Sequence, residues 1–201
     1  MTSASPAPSL RERKKIRTRQ TIRRAAYRLF AEHGYDATRV DTIAAAAEVS
    51  PSTVFRYFPT KEDIVVTDED DPVFEAALRS RPADEAPLTA LRAAIHQTLD
   101  ELYVTPEAMA EVHLRMRLVA TVPTIRARMK ENAAANAALL TRALTARTGH
   151  AADSLELRVF VGSLIGGLTE ALMYWAETGL EEDVRTLVDR AMTALDRDLA
   201  D

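Results

Sequence analysis

The sequence lacks cysteine entirely and has few glycines and aromatic residues. Among 201 residues, 6 are glycine, 1 is tryptophan and 5% are aromatic. The absence of cysteine excludes disulfides, a thiolate nucleophile and cysteine metal sites, and it fits a reducing compartment. Hydrophobic residues (47%) and charged residues (28%) occur at the levels of a soluble globular chain.

Patterns typical of enzymes are also missing. There is no glycine-rich phosphate loop, no GxSxG and no HExxH. The four histidines fall on separate predicted elements: His33, His96, His113 and His150. Glu170 and Glu177 lie on one predicted helix, and only folding would pair either with a histidine. We therefore predict that the chain is not an enzyme and that it holds no metal and no cofactor.

Targeting and membrane segments are not evident. The N-terminal stretch MTSASPAPS is polar and rich in proline and serine, and it has no apolar core. No later run approaches the ~20 apolar residues that a membrane span requires. The sequence therefore predicts a cytoplasmic protein with no membrane partner.

Charge is distributed unevenly along the chain. Residues 1–60 contain eleven Lys and Arg residues against five Asp and Glu residues, a net charge of +6. Since the whole chain carries −4, residues 61–201 carry −10. A basic segment on an acidic body indicates a polyanionic partner for the first segment, although a merely solvated helix face is the simpler alternative.

Helical periodicity dominates the sequence and predicts an all-α fold of about nine helices. Ile22, Ala25, Ala26 and Leu29 give helix 1 one apolar face, and the helix is predicted to end at His33-Gly34. Residues 68–72 are interpreted as a helix interruption. Longer helices follow at about 88–103, 106–121, 124–147, 154–177 and 184–195.

Three helix starts are crowded between residues 38 and 60. Thr38 and Asp41 match a capping box for helix 2, Ser50 with Pro51 begins helix 3, and Thr60 with Asp63 begins helix 4. Helix 3 ends at Phe58-Pro59, after two turns, and we assign its apolar residues to the core: Val54, Phe55 and Phe58.

Two short helices joined by a tight turn and braced by a preceding helix form a helix-turn-helix, whose second helix enters the DNA major groove. Ser52 and Thr53 are small enough for close approach to bases, Arg56 lies one turn further along, and Tyr57 can offer its hydroxyl to a phosphate. For Ser52 and Thr53, ordinary first-turn helix chemistry is the alternative. For Tyr57 the alternative is core packing.

The segment AEHGYDATRVDTIAAAAEVSPSTVFRYFPTKEDIV resembles the N-terminal region of the TetR family of one-component transcriptional regulators. The resemblance implies a homodimer, usually a repressor, with a three-helix DNA-binding head, a connecting helix 4 and a ligand-binding body. It places DNA contacts at seven residues: Arg39, Thr42, Ser52, Thr53, Arg56, Tyr57 and Lys61. Residues 11–19 are expected to form a basic arm toward the DNA backbone, and Glu48 stands where the family usually has glycine.

We therefore divide the chain into a basic arm and helix-turn-helix domain (1–63) and a helical effector-binding and dimerisation domain (64–201). The predicted function is a dimeric repressor that binds a near-palindromic double-stranded operator and is released by a small, largely apolar ligand. Ligand binding is expected to tilt helix 4. The alternative is a helical protein-interaction module or ligand-binding protein without sequence-specific DNA binding.

Candidate residues in the body are chosen from the apolar helices. Gly162 and Gly166 permit close helix approach, and intrachain packing is the alternative to a dimer contact. The predicted dimer residues are Gly162, Gly166, Val184, Leu187, Val188 and Met192. The predicted ligand-binding residues are His96, Met109, His113, Met116, Tyr174 and Trp175, for which ordinary core packing is the alternative.

Overall fold

The computed structural model describes residues 9–67, 71–103 and 105–196. Within these ranges the chain is helical and contains no strand, which confirms the all-α prediction. The helices are α1 (Leu10–His33), α2 (Val40–Ala46), α3 (Pro51–Tyr57), α4 (Lys61–Val66), α5 (Asp71–Ser80), α6 (Pro87–Leu102), α7 (Pro106–Thr121), α8 (Pro123–Thr148), α9 (Leu155–Glu177) and α10 (Val184–Asp196). The described part thus holds ten helices, whereas the sequence predicts about nine. The additional helix is α5, which begins at Asp71 inside the segment 68–72 interpreted as a helix interruption.

The chain separates into two compact units, one ending at Val65 and the other beginning at Val66. We call the first unit the head and the second unit the body. The head contains α1, α2, α3 and nearly all of α4, and the body contains α5 to α10.

The head has a small core that the three first helices share. Ile22 and Ala26 on α1, Ile43 on α2, and Val54 on α3 are at most 1% exposed. Phe58, directly after α3, is completely buried. These positions follow the helical spacing that the sequence predicts, and α1 ends at Gly34 in the left-handed conformation (φ +83°).

Two of the three predicted helix caps are present. The Ser50 hydroxyl accepts a hydrogen bond from the Thr53 backbone N–H at 3.2 Å. Thr60 and Asp63 form a reciprocal capping box, in which the Thr60 N–H donates to Asp63 Oδ2 (2.9 Å) and the Asp63 N–H donates to Thr60 Oγ1 (3.2 Å). The starts of α3 and α4 are therefore fixed by local side chains.

The predicted capping box at Thr38 is wrong. The N-cap of α2 is Arg39, whose side chain makes no capping hydrogen bond. Thr38 is instead 3% exposed, and its hydroxyl lies 2.7 Å from the Gly34 carbonyl and 3.3 Å from the Leu29 carbonyl. Since the hydroxyl donates backwards to the end of α1, it closes the α1–α2 turn and leaves the start of α2 uncapped.

Glu48 lies in the turn between α2 and α3 with φ +55°. The Val49 N–H donates to the Ala44 carbonyl at 3.0 Å, and the Glu48 N–H donates to the Ala45 carbonyl at 3.1 Å, so the last carbonyls of α2 are satisfied. The left-handed conformation costs a residue with a Cβ on the order of 1 kcal/mol. The turn therefore keeps the shape that suits glycine and tolerates the strain.

The body is built around a larger apolar cluster that α5, α6, α8, α9 and α10 share. Leu91, Leu144 and Met192 are fully buried in it, and Leu164 is 2% exposed. At Gly167, an added Cβ would lie only 3.0 Å from the Leu195 side chain, so α9 and α10 approach closely at this point.

Four of the predicted dimer residues are buried, and two of them, Val188 and Met192, belong to this cluster. The side chains in question are 0 to 7% exposed in the single chain: Val184, Leu187, Val188 and Met192. Helix α10 has one apolar stripe, and this stripe packs against the protomer's own helices. These four side chains are thus buried without a second copy, and their assignment to the dimer interface stays a prediction.

Charged side chains tie the outer parts of the body together. Arg147, near the end of α8, donates to the backbone carbonyls of Pro82 and Glu85 in the α5–α6 loop. Arg81 donates to the Glu85 carboxylate through Nε (2.8 Å) and Nη2 (2.6 Å). The hydrogen bonds from Arg81 lower the pKa of the Glu85 carboxyl below its ordinary value.

Helices α6 and α10 are joined in a similar way. His96 Nε2 lies 2.9 Å from Asp189 Oδ1, and the Arg185 Nε donates to Asp100 Oδ1 at 2.9 Å. His96 and Asp100 are four positions apart on α6, and their partners Asp189 and Arg185 are four positions apart on α10. The two pairs therefore follow one face of each helix.

Candidate functional site

Helix α3 has one buried face and one exposed face. Val54 points into the head core, whereas Pro51, Ser52, Phe55 and Arg56 are exposed. Phe55 is four positions from Pro51 and three from Ser52, and Arg56 is four positions from Ser52, so these side chains are neighbours on the helix surface. Helix α3 thus presents a continuous outer face, which we call the α3 outer face.

Hydroxyl groups gather at the start of α3. The Ser50 hydroxyl lies 2.9 Å from the Ser52 hydroxyl and 2.9 Å from the Thr53 hydroxyl. Ser52 is exposed and Thr53 is half-buried. Each hydroxyl can donate or accept, so this end of the helix offers both kinds of hydrogen-bonding group to a partner.

Phe55 does not lie in the core. Its side chain is 49% exposed, so the prediction that Phe55 packs inside the head is wrong, whereas the same prediction for Phe58 is confirmed. Helical spacing places Val54 on the buried side, and Phe58 fills the space below it. The neighbouring residue Phe55 is consequently turned outward onto the α3 outer face.

Arg56 and Tyr57 interact with each other at the end of α3. The Arg56 guanidinium carbon lies 5.2 Å from the Tyr57 ring centroid, within the range of a cation–π contact. Arg56 is exposed and Tyr57 is half-buried. This contact holds a positive charge beside the phenol ring at the edge of the α3 outer face.

Two arginines of α1 hold the end of α3 in place. The guanidinium carbons of Arg19 and Arg23 lie 4.8 Å and 6.0 Å from the centroid of the Phe58 ring. Arg23 Nε donates to the Ile64 carbonyl at 3.3 Å, and Arg19 Nη1 lies 3.5 Å from the Tyr57 carbonyl. Sequence reasoning did not identify this positioning role, because the ring and the carbonyls are about 40 residues away in the chain.

Lys61 is engaged within the head. Its ammonium donates to the carbonyls of Tyr35 (2.9 Å) and Thr38 (3.2 Å) and lies 4.0 Å from the Tyr35 ring centroid. The side chain therefore links the start of α4 to the turn before α2. These two hydrogen bonds use two of the three N–H donors of the Lys61 ammonium.

Arg39 and Thr42 lie on the exposed side at the start of α2. The Arg39 side chain is 82% exposed, and its Nη2 is 3.9 Å from Asp41 Oδ2. An ion pair this long and this exposed holds the guanidinium weakly. Arg39 is thus accessible to a partner.

The first half of α1 carries a dense set of positive charges. Between the start of the helix and Ile22, the first residue of the core, the described side chains are exposed or half-buried. The exposed cations in this stretch are Arg11, Arg13, Lys14, Lys15 and Arg17. We call residues 10–21 the basic half of α1.

The six predicted ligand residues do not gather in one place. His113 and Trp175 are in edge-to-face contact, with ring centroids 5.3 Å apart. Trp175 is buried and donates to the Glu182 carbonyl at 2.8 Å, and Met116 is buried too. Met109 is half-buried.

The other two predicted ligand residues face different surroundings. His96 contacts Asp189 on α10, as described above. Tyr174 is 49% exposed and lines an open groove between α9 and α10, where the Arg190 guanidinium lies 5.6 Å from its ring centroid. Asp189, the partner of His96, lines the same groove as Tyr174.

Helix α9 has an exposed apolar face. Leu155 and Val159 are 71% and 57% exposed. Gly162 and Gly166 are exposed as well, and a Cβ added at either would meet nothing within 4 Å. The packing of the protomer itself therefore does not require glycine at these two positions.

Comparisons with known proteins identify the family. A family model described as "Bacterial regulatory proteins, tetR family" matches residues 22–66, and a model described as "MftR C-terminal domain" matches residues 85–200. The HTH-type transcriptional regulator TcmR of Streptomyces glaucescens is 38% identical over 155 residues, which cover 73% of this chain and 67% of TcmR. The chain belongs to the TetR family.

Solved structures of other TetR-family regulators share the fold. The fatty acid degradation regulator FadR from Bacillus halodurans superposes with a TM-score of 0.59 at 23% identity, covering 99% of both chains. FadR from Thermus thermophilus, a repressor solved in complex with lauroyl-CoA, gives a TM-score of 0.56 at 21% identity and covers 91% of this chain and 98% of that one.

Membership in the family settles the class of protein. The chain is a helix-turn-helix transcriptional regulator with a helical C-terminal domain, and it is not an enzyme. The resemblance drawn from the segment around α2 and α3 is confirmed, and TetR-family regulators bind DNA and small-molecule effectors.

Proposed function

We propose that this TetR-family regulator is a cytoplasmic homodimeric repressor that binds a near-palindromic operator through its heads. A small, largely apolar ligand bound by the body releases it from DNA. The observation that carries the proposal is the α3 outer face, an accessible helix surface on a unit whose sequence is strongly basic.

On DNA, the α3 outer face enters the major groove. Ser52, Thr53 and Arg56 supply hydrogen-bonding groups to base edges, because hydroxyls and guanidinium groups are the side chains that read such edges. Tyr57 and Thr42 donate their hydroxyls to phosphate oxygens, and phosphate contacts fix the register of a protein on the duplex. The base contacts and the phosphate contacts of these five residues are both part of this proposal.

Arg39 and Lys61 have different parts in this proposal. The exposed guanidinium of Arg39 binds a phosphate directly, because only a long exposed ion pair competes for it. Lys61 acts mainly by holding the turn before α2 through the Tyr35 and Thr38 carbonyls, and its remaining donor faces the backbone of the DNA.

The basic half of α1 adds phosphate contacts outside the helix-turn-helix. Its cations lie on a helix that begins at Leu10, 12 residues before the first core residue, Ile22. Each phosphate that a Lys or Arg neutralises steepens the dependence of the affinity on salt. We therefore assign this segment to the flanks of the operator.

A second copy of the chain covers the exposed face of α9. Gly162 and Gly166 leave a smooth surface between exposed apolar side chains, and small residues allow two helices to approach closely. By length and composition α9 would also be able to cross a membrane, but the core helix of a soluble protein passes the same test. Pairing of two copies explains the apolar face and supplies two heads for a palindrome.

The ligand lies in the body near the His113–Trp175 pair. An aromatic pair with two methionines nearby in the sequence provides a mostly apolar wall with one polar group. The ligand must bind the DNA-free state more tightly than the DNA-bound state, since otherwise it shifts nothing. Because FadR from Thermus thermophilus was solved with lauroyl-CoA, an acyl-CoA series is a suitable first set of probes.

The decisive experiment is selection of bound duplexes from a random DNA library, followed by affinity measurements on the selected duplex across a salt series. Enrichment of a palindrome with affinity that falls steeply with salt supports the proposal. A folded protein that enriches no duplex would contradict it and would favour a helical module that binds proteins or ligands alone.

A matched pair of variants tests the assignment of roles. Thr53→Ala is expected to change sequence preference, whereas Arg39→Gln weakens binding to all duplexes alike and reduces the salt slope by about 1. Addition of lipophilic probes to the protein–operator complex tests the effector. If no probe that raises the melting temperature also lowers the DNA affinity, the proposed release by ligand is wrong.

A further inference from the structure

Phe55 is the one large apolar side chain on the α3 outer face, and it is the fifth of the seven residues in the helix. Its ring is 49% exposed, although an aromatic residue on a short helix would be expected to pack inward. The neighbouring core positions are already filled by Val54 and Phe58, which are 1% and 0% exposed. The outward position of Phe55 is therefore a stable feature of the head.

The surroundings of Phe55 leave its ring available. Arg56, the next residue, places its guanidinium against the Tyr57 ring. Pro51, four positions earlier, lies on the same side of α3 and is also exposed and apolar. Phe55 and Pro51 thus form a short apolar strip, with the Ser52 hydroxyl beside it.

The chemistry of the major groove restricts what this strip can contact. Base edges in the groove present hydrogen-bond donors and acceptors, and the C5-methyl of thymine is the apolar group among them. A phenylalanine ring has no hydrogen-bonding atom, so against a polar edge it would displace water and give nothing in return. Against a methyl group it gains apolar contact and loses nothing.

We propose that Phe55 selects thymine at one position of each operator half-site by packing its ring against the C5-methyl group. This inference rests on the proposed function, because it requires α3 to lie in the major groove. It assigns a specificity-determining role to a residue that sequence reasoning placed in the core.

The test uses the operator obtained by selection and replaces its thymines one at a time with deoxyuridine, which removes only the methyl group. For the unaltered protein, we expect a three- to tenfold loss of affinity at one thymine of each half-site, about the effect of losing one buried methyl contact. At the other thymines, the replacement changes the affinity little.

The variant Phe55→Ala should bind the thymine and deoxyuridine duplexes with equal affinity at that position. Phe55→Leu, which keeps an apolar side chain, should retain part of the discrimination. Ser52→Ala removes a polar contact from the same face, so it should weaken binding to the thymine and deoxyuridine duplexes by the same factor and leave the ratio of the two affinities unchanged. Since Phe55 is exposed, circular dichroism should show all of these variants folded.

Three results would overturn the inference. They are insensitivity of the unaltered protein to deoxyuridine at every position, a selected half-site without a fixed thymine, and full discrimination by Phe55→Ala. In each of these cases an operator exists, so the proposed function stands and only the role of Phe55 fails. If no duplex is enriched, both fail together.

Discussion

Cations in the head and cations in the body differ in how often a carboxylate is their partner. In the head, Arg23 and Lys61 donate to backbone carbonyls and lie over aromatic rings, and Arg56 lies over Tyr57. In the body, ion pairs join arginine to carboxylate, as in Arg81–Glu85 and Arg185–Asp100, and Arg147 donates to carbonyls in addition. The sequence shows the same contrast, since residues 1–60 carry +6 and residues 61–201 carry −10.

The contrast teaches how a small unit can be both tightly built and strongly positive. A carbonyl or the face of a ring accepts a cation without contributing a full negative charge, so the head gains structural contacts and keeps its net charge. In the body, carboxylates neutralise the charges of arginines such as Arg81 and Arg185. A positive field on one unit then attracts DNA phosphates, and the acidic body does not compete for them.

The largest test of this comparison is removal of the ring that the head cations share. Phe58→Ala deletes a fully buried side chain that lies beneath the guanidinium groups of Arg19 and Arg23. We expect a loss of about 3–5 kcal/mol in the free energy of unfolding of the head. Hydrogen exchange should show faster exchange in residues 22–66.

Phe55→Ala is the matched control for this variant, because it removes the same kind of ring from an exposed position only three residues earlier in the chain. It should change the unfolding free energy by less than about 0.5 kcal/mol. Equal destabilisation by the two variants would contradict the distinction between a ring that holds the head together and a ring that faces outward.

In the body, the corresponding test removes a cation that holds the α5–α6 loop against α8. Arg147→Gln takes away the donors to the Pro82 and Glu85 carbonyls, and the Arg147 side chain is only 9% exposed. We expect a loss of about 2 kcal/mol, because the carbonyls lose charged hydrogen-bond partners. Urea denaturation measures the loss.

Arg142→Gln serves as the control for Arg147→Gln, since Arg142 is an exposed arginine of the same helix. It should have almost no effect on the denaturation midpoint. Should Arg147→Gln leave both the midpoint and the exchange rates of residues 81–86 unchanged, the loop would not depend on this arginine.

The outer surfaces of the two units differ as well, since α1 is basic and α9 is apolar. Val159→Asp places a charge in the middle of the exposed face of α9. If a second copy covers this face, the dimer should dissociate at least tenfold more readily, which corresponds to about 1.4 kcal/mol. Analytical ultracentrifugation over a range of protein concentrations measures this change.

Ala138→Asp provides a comparison, because it adds the same charge at an exposed position of α8. It should leave the sedimentation behaviour of the protein as it was. Dimers that persist in Val159→Asp to the same dilution as in the unaltered protein would place the interface elsewhere.

The smallest expected effect concerns a strained turn in the head. Glu48→Gly relieves the left-handed conformation at φ +55° and should stabilise the head by up to about 1 kcal/mol. Glu48→Ala also removes the carboxylate but keeps the Cβ, so it should give no such gain. Thermal denaturation of the two variants separates strain from charge, and a gain in both would indicate that the charge was unfavourable.

Local signals in the sequence predicted the head well. Ser50 and the Thr60–Asp63 pair cap helices within three residues of themselves, so their partners are present in any short segment. Thr38 offered the same pattern, yet its hydroxyl donates to carbonyls at the end of α1 because the side chain is buried against that helix. Spacing alone does not tell on which side of a turn a side chain will find its acceptor.

Predictions that depend on tertiary packing were less successful. Phe55 and Phe58 are both aromatic residues of one short helix, and only the arrangement of α1 and α2 decides which of them is covered. The apolar stripe of α10 was correctly located along the helix. The spacing of the stripe does not tell whether it packs inside the same protomer or against a second copy. The structure places Met192 and Val188 in the protomer core.

The shortness of α3 limits the information that one head can read. Seven residues at about 1.5 Å each span about three base pairs of 3.4 Å. Two such helices then define about six base pairs, and a given six-base-pair sequence occurs by chance about once in 4,000 positions. A genome offers 10⁶ or more competing sites. A regulator with this helix must obtain the rest of its specificity from the shape and stiffness of its DNA. The sequence of the spacer and of the flanks of its operator should therefore affect affinity even where no base is contacted.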